Sequence, residues 1–299
     1  MQIFTKSKMK NVIYFYCAFM LFIIQGCVPE GIDINVKPSE PRIAVASQII
    51  PQSFIFVTLT KSFSPLEPLA TGGAVDSTAF NKFLVTNAFV TVSYNNQIDT
   101  LHMLTPGIYI STTILLANYN TYTLNVIEPN SGLQTSAVTT MLPQVQFDTV
   151  YPVIIKNPTD TVVKIKYVLR DNPNEENFYV VNYILKQPSK GANLDISSYF
   201  SKGSNKILST FDLLNDASFT DNLLTKESIL KVGSTDSIAV EIANISKGYY
   251  EFLTAFKRTG NILNALETEP IHFPSNVQNG YGYFNAYYPN SRIFYLGQY

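Results

Sequence analysis

The chain has 299 residues and a formal net charge of −1, a balance that gives no electrostatic case for nucleic-acid binding, which needs a basic face. Its two cysteines, Cys17 and Cys27, both fall in the first segment, so thiol catalysis, a redox role and cysteine metal sites are excluded for the rest of the chain. With 19 Tyr, 20 Phe and no Trp, and with many Thr, Val and Ile, the composition favours strands over helices.

Residues 1–26 read as an export signal. Lys6, Lys8 and Lys10 precede an apolar run from Val12 to Ile24, with no acidic residue among them. That run has 13 residues, whereas a permanent membrane span needs roughly 20. It ends in Ile24-Gln25-Gly26-Cys27, which resembles a bacterial lipoprotein lipobox. The resemblance implies cleavage after Gly26, a diacylglyceryl group on the Cys27 thiol and acylation of the new amino terminus. The competing readings are an uncleaved anchor or a plain signal with a chance cysteine. At about 0.8 kcal/mol per buried CH₂, several acyl chains hold a protein on a bilayer without a spanning helix.

Removal of residues 1–26 leaves 273 residues with a net charge of −4, a length that suits two modest cores. Residues 27–41, with three prolines and no sustained period, form the expected lipid-anchored tether. Glu30 and Asp33 are a thin version of the acidic cluster that directs some lipoproteins to the cell surface, so the surface and periplasmic faces both stay open.

From Arg42 the period becomes two. "RIAVASQII" and "FIFVTLTKS" put Ile43 and Val45, then Ile55, Val57 and Leu59, on single faces, a hairpin-like pair of half-buried strands. Phe63 to Lys82 reads as a long exposed loop. "NAFVTVSY", "LTPGIYIST" and "NYNTYTLNVIEP" repeat the alternation, with Tyr122, Leu124 and Val126 set against Thr121, Thr123 and Asn125. Short strands with closely spaced turns indicate a β-sandwich over residues 42–143, and Gly107 and Tyr109 followed by Tyr122, Leu124 and Val126 resemble the middle of immunoglobulin-like or transthyretin-like modules.

A second, C-terminal β-rich domain is expected over 144–299. It opens with "TVVKIKYVL" and "NFYVVNYIL", joined by "RDNPNEEN". Residues 187–234 lose strict alternation and read as an irregular insertion, after which "DSIAVEIANIS" restores a strand. One amphipathic helix is expected over 247–259: Tyr249, Phe252, Leu253 and Phe256 share a stripe, Ser246 caps the start, and Lys257, Arg258 and Gly260 suit the end. The chain closes with a glycine-interrupted pair of aromatic strands. The whole is mainly β, in two sandwich-type domains.

Seven segments in order carry a further resemblance: "RIAVASQI", "NAFVTVSY", "PGIYIST" with "YTLNV", "MLPQVQFDTVY", "VLRDNPNEENFYVV", "VEIANISKGYYEFLTAF" and "NVQNGYGYFNAYY". Together they resemble the Bacteroidetes outer-membrane lipoproteins of the domain-of-unknown-function 4249 family, over nearly the whole mature chain. The sequence departs from that pattern at "LLANYNTYTL", where relatives commonly have a glycine before the position of Tyr122. The resemblance implies an outer-membrane lipoprotein, often encoded beside a TonB-dependent transporter, with no assigned reaction.

Candidate sites are few. His102 and His272 are the only histidines, and no His-Glu-x-x-His, Gly-x-Ser-x-Gly or phosphate-cradling loop occurs. A non-enzymatic role is therefore expected, with a carboxylate-based hydrolase as the remote alternative. Asp171, Glu175 and Glu176 in "RDNPNEEN" offer oxygen ligands of the kind Ca²⁺ prefers, without EF-hand spacing; the plainer reading is a polar turn. Tyr281, Tyr283, Tyr287 and Tyr288 would bind flat ligands or a partner if exposed; otherwise Tyr281 and Tyr283 share one strand face and fill a sandwich core, with Gly280 and Gly282 admitting a bulge or a close backbone. The leading expectation is an accessory lipoprotein beside a transporter or other envelope partner. The runner-up is a surface module that binds a glycan or peptide.

Overall fold

Segments of period two become strands here because one face of each finds a core. The computed structural model describes residues 40–49, 55–62, 70–71, 74–75, 81–111, 120–156, 161–186, 210–232, 237–259 and 273–299. The export segment, Cys27, His272 and most of the expected loop at 63–82 lie outside them. Among the described residues no helix is long and apolar enough to cross a membrane. Over these residues the fold is mainly β, in several sheets, with one α-helix.

The first sandwich uses β1 (Ile43–Ile49), β2 (Ile55–Lys61), β5 (Phe89–Tyr94), β6 (Gln97–Thr105), β7 (Ile108–Ser111), β8 (Thr121–Glu128) and β9 (Leu133–Thr140), with the short pair β3 (Ala70–Thr71) and β4 (Ala74–Val75) before β5. β1 and β2 form the expected antiparallel pair, Val45 opposite Leu59. β6 turns a corner: Leu101 pairs with Val90 of β5, whereas His102 and Met103 pair with Ile110 and Tyr109 of β7. A register shift between Met103 and Thr105 marks the bend.

Completion comes from the far end of the chain. β16 (Val277–Gln278) pairs with β9, and β17 (Gly280–Ala286) runs parallel to β1, Ile43 opposite Gly280. The hydrogen-bonded order is β16-β9-β8-β5-β6-β7-β2-β1-β17. Its two ends are separated by Asn279 alone, whose φ of 56° makes the turn, so the sheet closes on itself. Inside lies one core in which Val57, Leu59 and Tyr109 meet Val92, Leu124 and Phe284. Sequence order places 277–286 with the second domain, yet Val277, Phe284 and Ala286 belong to the first core.

The glycines of β17 allow this approach. A Cβ on Gly280 would lie 2.5 Å from the Ile43 carbonyl oxygen and 2.8 Å from Thr135 Oγ1. On Gly282, at φ +94°, it would lie 1.9 Å from the Val45 carbonyl oxygen. Only glycine fits where a backbone comes so near at positive φ. On the opposite face of the same strand Tyr283 packs beneath helix α1 (Lys247–Thr259).

The second sandwich stacks a three-stranded sheet on a four-stranded one. The first has the order β10-β11-β14, from β10 (Thr149–Lys156), β11 (Thr161–Arg170) and β14 (Leu223–Val232). The second is β13-β12-β15-β18, from β12 (Phe178–Lys186), β13 (Thr210–Asn215), β15 (Ser237–Asn244) and β18 (Asn290–Tyr295). Val163, Ile165 and Leu230 of one sheet meet Val181, Val240 and Ile242 of the other. β11 and β12 thus sit in opposite sheets, and "RDNPNEEN" crosses between them.

Two expectations are corrected here. Residues 210–215 and 223–232 of the expected irregular insertion are not irregular: they supply β13 and β14, while 187–209 and 233–234 lie outside the described residues. β14 hid its period because Lys226 and Ser228 point inward while Ile229 points out. The closing aromatic segment is not a strand pair either, since β17 joins the first sandwich and β18 the second.

Helix α1 forms as its stripe requires. Ser246 Oγ accepts the Tyr249 amide at 3.3 Å, the expected cap, and Lys257 and Arg258 sit in the last turn. Tyr249, Tyr250 and Leu253 cover Phe178, Val180 and Ala243 on the outer face of the four-stranded sheet. Tyr249 and Phe252 also meet Tyr283, with ring centroids 5.2 and 5.5 Å away. One helix therefore binds both sandwiches.

A methyl group at Gly282 must displace the β1 backbone. Gly282→Ala is expected to lower the unfolding free energy by about 3 kcal/mol or more, measured by urea denaturation. An unchanged midpoint would mean that β17 does not lie against β1.

Candidate functional site

Between the two sheets of the second sandwich lies a polar cluster. Tyr167 of β11, Tyr183 of β12, Asp212 of β13, and Lys226 and Ser228 of β14 all point into it, each because its strand's alternation puts that position inward. Tyr167 and Tyr183 are almost wholly buried. The Tyr167 hydroxyl donates to Asp212 Oδ2 at 3.1 Å, and Ser228 Oγ donates to the same oxygen at 2.7 Å. The Tyr183 hydroxyl lies 2.6 Å from that oxygen and 2.8 Å from Ser228 Oγ. Its single proton serves one or the other, and the carboxylate is satisfied either way. Lys226 Nζ holds Asp212 Oδ1 at 3.0 Å.

The electrostatics follow from this geometry. Burial acts to raise the Asp212 pKa, but hydrogen bonds from Tyr183, Ser228 and Lys226, with the lysine's charge, outweigh it and hold the carboxyl below its ordinary value. Burial first, and the neighbouring Tyr183 and Asp212 next, push the Tyr167 hydroxyl far up. Tyr183 is raised by burial and by its bond to Asp212. The carboxyl is thus moved down and the two phenols up, each away from neutral pH. The cluster ties one sheet to the other.

The candidates read from sequence are scattered. Asp171 is buried and accepts the Tyr179 hydroxyl at 2.6 Å. Burial, then that bond to Asp171, raises the Tyr179 pKa. Glu176 pairs with Lys247 at 3.2 Å, and the Glu175 carbonyl accepts from Asn177 Nδ2 at 3.0 Å. Among the described residues no group of three or more His, Cys, Asp or Glu side chains is placed to hold a metal ion. His102 stands exposed on β6.

Nor do the four tyrosines form a row. Tyr283 and Tyr287 are buried, and Tyr288 is half-buried against the first core. Tyr281 alone is exposed, 47%, with the Arg42 guanidinium 5.7 Å from its ring centre. Tyr281 and Tyr283 do share a strand face, but it is the outer one; the core face of β17 carries Gly280, Gly282, Phe284 and Ala286. The physical reason is the closeness of β1, which leaves room there only for glycine until Phe284.

A surface that sequence order scattered is assembled by β5, β6, β8, β9 and β16. Pairing sets Thr100, Thr91, Asn125, Ser136 and Gln278 in one row across five strands. The next row is Ile98, Ser93, Thr123 and Val138. Phe89 lies opposite Ile127 at the margin. No outward position on these strands carries Asp, Glu, Lys or Arg, and Ile98 is 74% exposed. The outward threonines were visible in the sequence; the rows required knowing the strand order.

Asp212 gives a pH test. A carboxyl whose folded pKa lies below its unfolded one, about 3.9, adds stability above the unfolded value and loses it as pH falls through the folded value. Asp212→Asn is expected to lower the unfolding free energy by about 2 kcal/mol at pH 7. The variant should also lose less stability than the parent between about pH 4 and pH 2, as urea titrations at several pH values will show.

A search of curated proteins found no match to this sequence. A protein family described as "Domain of unknown function (DUF4249)" matches residues 30–293. That match takes in both sandwiches, the closing strand and helix α1, and the chain belongs to this family.

Proposed function

We propose that this protein is a lipid-anchored protein of the outer membrane, attached through Cys27, that works by binding as an accessory subunit beside a TonB-dependent transporter or another envelope partner. The anchor is supported by the basic start, the short apolar run and the Gly26-Cys27 junction. Binding is supported by one observation above all, the uncharged outer face built by β5, β6, β8, β9 and β16. Interface cores are depleted in charged residues, whose desolvation opposes association. Exposed Ile98, Phe89 and Val138 supply apolar area on that face.

A second reading, a surface module for a neutral glycan, draws on the hydroxyl and amide row from Thr100 to Gln278. It predicts glycan binding by the purified protein without any partner.

Two substitutions test the proposal separately. Cys27→Ser should move the protein from the membrane fraction to the soluble one and abolish labelling by palmitate. Ile98→Lys combined with Val138→Lys should leave anchoring and thermal stability intact while removing the envelope partner recovered after mild detergent extraction. Repeated recovery of the unaltered protein alone would overturn the accessory role.

A further inference from the structure

The three-stranded sheet of the second sandwich ends in two unlike edges. β10 carries Pro152, which lacks an amide hydrogen and blunts that edge. β14 has no proline and runs for 10 residues, long for an edge strand. Among the described residues no strand pairs with its far side. Its outward side chains are Leu223, Thr225, Glu227, Ile229 and Lys231, and Ile229 is 62% exposed. An open edge of this length with apolar residues on it is a template for another strand.

We propose that the strand it takes is β14 of a second copy of this chain, running antiparallel about a two-fold axis at Ile229. The charge pattern selects that occupant. Centred on Ile229, the pairing sets Glu227 opposite Lys231 of the copy and Lys231 opposite its Glu227, with the two Ile229 side chains between them. Opposite charges across a ladder are stabilising, like charges destabilising. Shifting the centre to Glu227 would instead face two carboxylates. Lys231 is exposed and has no ion-pair partner among the described residues. Glu227 holds Lys164 and Lys166 of β11 on its other side, at 2.9 and 3.4 Å. On the inward face Ser228 would lie opposite Leu230, and Lys226 opposite Val232, which continues the half-buried pattern of β14 across the axis. Two sheets of three strands become one of six, an isologous contact that closes at two copies.

Cysteine cross-linking reads both the contact and its register. In the full chain with Cys17→Ser and Cys27→Ser, in detergent, Ile229→Cys puts two thiols on the axis. Antiparallel partners there have Cα atoms about 4.5 or 5.5 Å apart, within disulfide range. Thr225→Cys puts its thiols about 26 Å apart. Mild oxidation should convert the first variant to a covalent dimer and leave the second without a covalent cross-link. Adding Lys231→Glu should weaken dimer formation about tenfold, and adding Glu227→Lys to that should restore it. Thr225, Glu227, Ile229 and Lys231 are exposed, and a cooperative thermal transition will confirm that each variant folds, at a lower temperature for Glu227→Lys, which gives up Lys164 and Lys166. Ile229→Cys that stays monomeric under oxidation overturns the proposal, as does equal cross-linking through Thr225→Cys or failure of the double charge exchange to restore the dimer.

Discussion

The approach of β17 to β1 is the contact on which the rest of the structure depends. A parallel pair joins residues 43–49 to 280–286, so the loop between partners contains almost all of the fold. Closing so long a loop costs conformational entropy before any contact compensates. The compensation is the burial of Phe284, Ala286 and Val277 in the first core, at about 1.5–3 kcal/mol for each large apolar side chain. Two alternate positions free of side chains, Gly280 and Gly282, make the approach sterically possible. The same strand then turns its other face to helix α1, where Tyr283 meets Tyr249 and Phe252. In this way the chain's end completes the first sandwich and fastens it to the second.

The second sandwich is held by different means. Its facing sheets share an apolar core, but the centre of the contact is a carboxylate fed by two phenols, a hydroxyl and an ammonium group. Such a network has a direction and a geometry that apolar packing lacks, and it is costly if left half made. It therefore fixes how one sheet sits on the other. The hydroxyls of Tyr167, Tyr183 and Ser228 and the Lys226 ammonium group each have a partner within the cluster.

Much of the fold was legible in the sequence, for local reasons. β1, β2, β5 and β8 alternate cleanly because one face is core and the other water. Helix α1 announced itself through its stripe, its Ser246 cap and its basic end. β14 did not, because Lys226 and Ser228 occupy inward positions to reach Asp212, and a buried polar group reads in sequence as a solvent position. The destination of β17 was also illegible. Its glycines signalled a close backbone, as the sequence suggested, but nothing local names β1 as that backbone. The tyrosines there read as packing more readily than as a ligand platform; helix α1 covers Tyr283, while Tyr281 stays exposed. The uncharged face was hidden for a similar reason: its rows are made by strand order, and residues that stand side by side come from positions 91, 100, 125, 136 and 278.

What emerges is a scaffold whose buried polar and aromatic side chains join its parts. Its central claim is that the first sandwich cannot close without the chain's end. The direct measurement is the amide NMR spectrum and urea unfolding of residues 40–143 produced alone, then with a peptide of residues 274–288 added. The account predicts a poorly dispersed spectrum without a cooperative transition for the segment alone, and recovery of dispersion on adding the peptide. A well-dispersed, cooperatively unfolding segment without the peptide would contradict it.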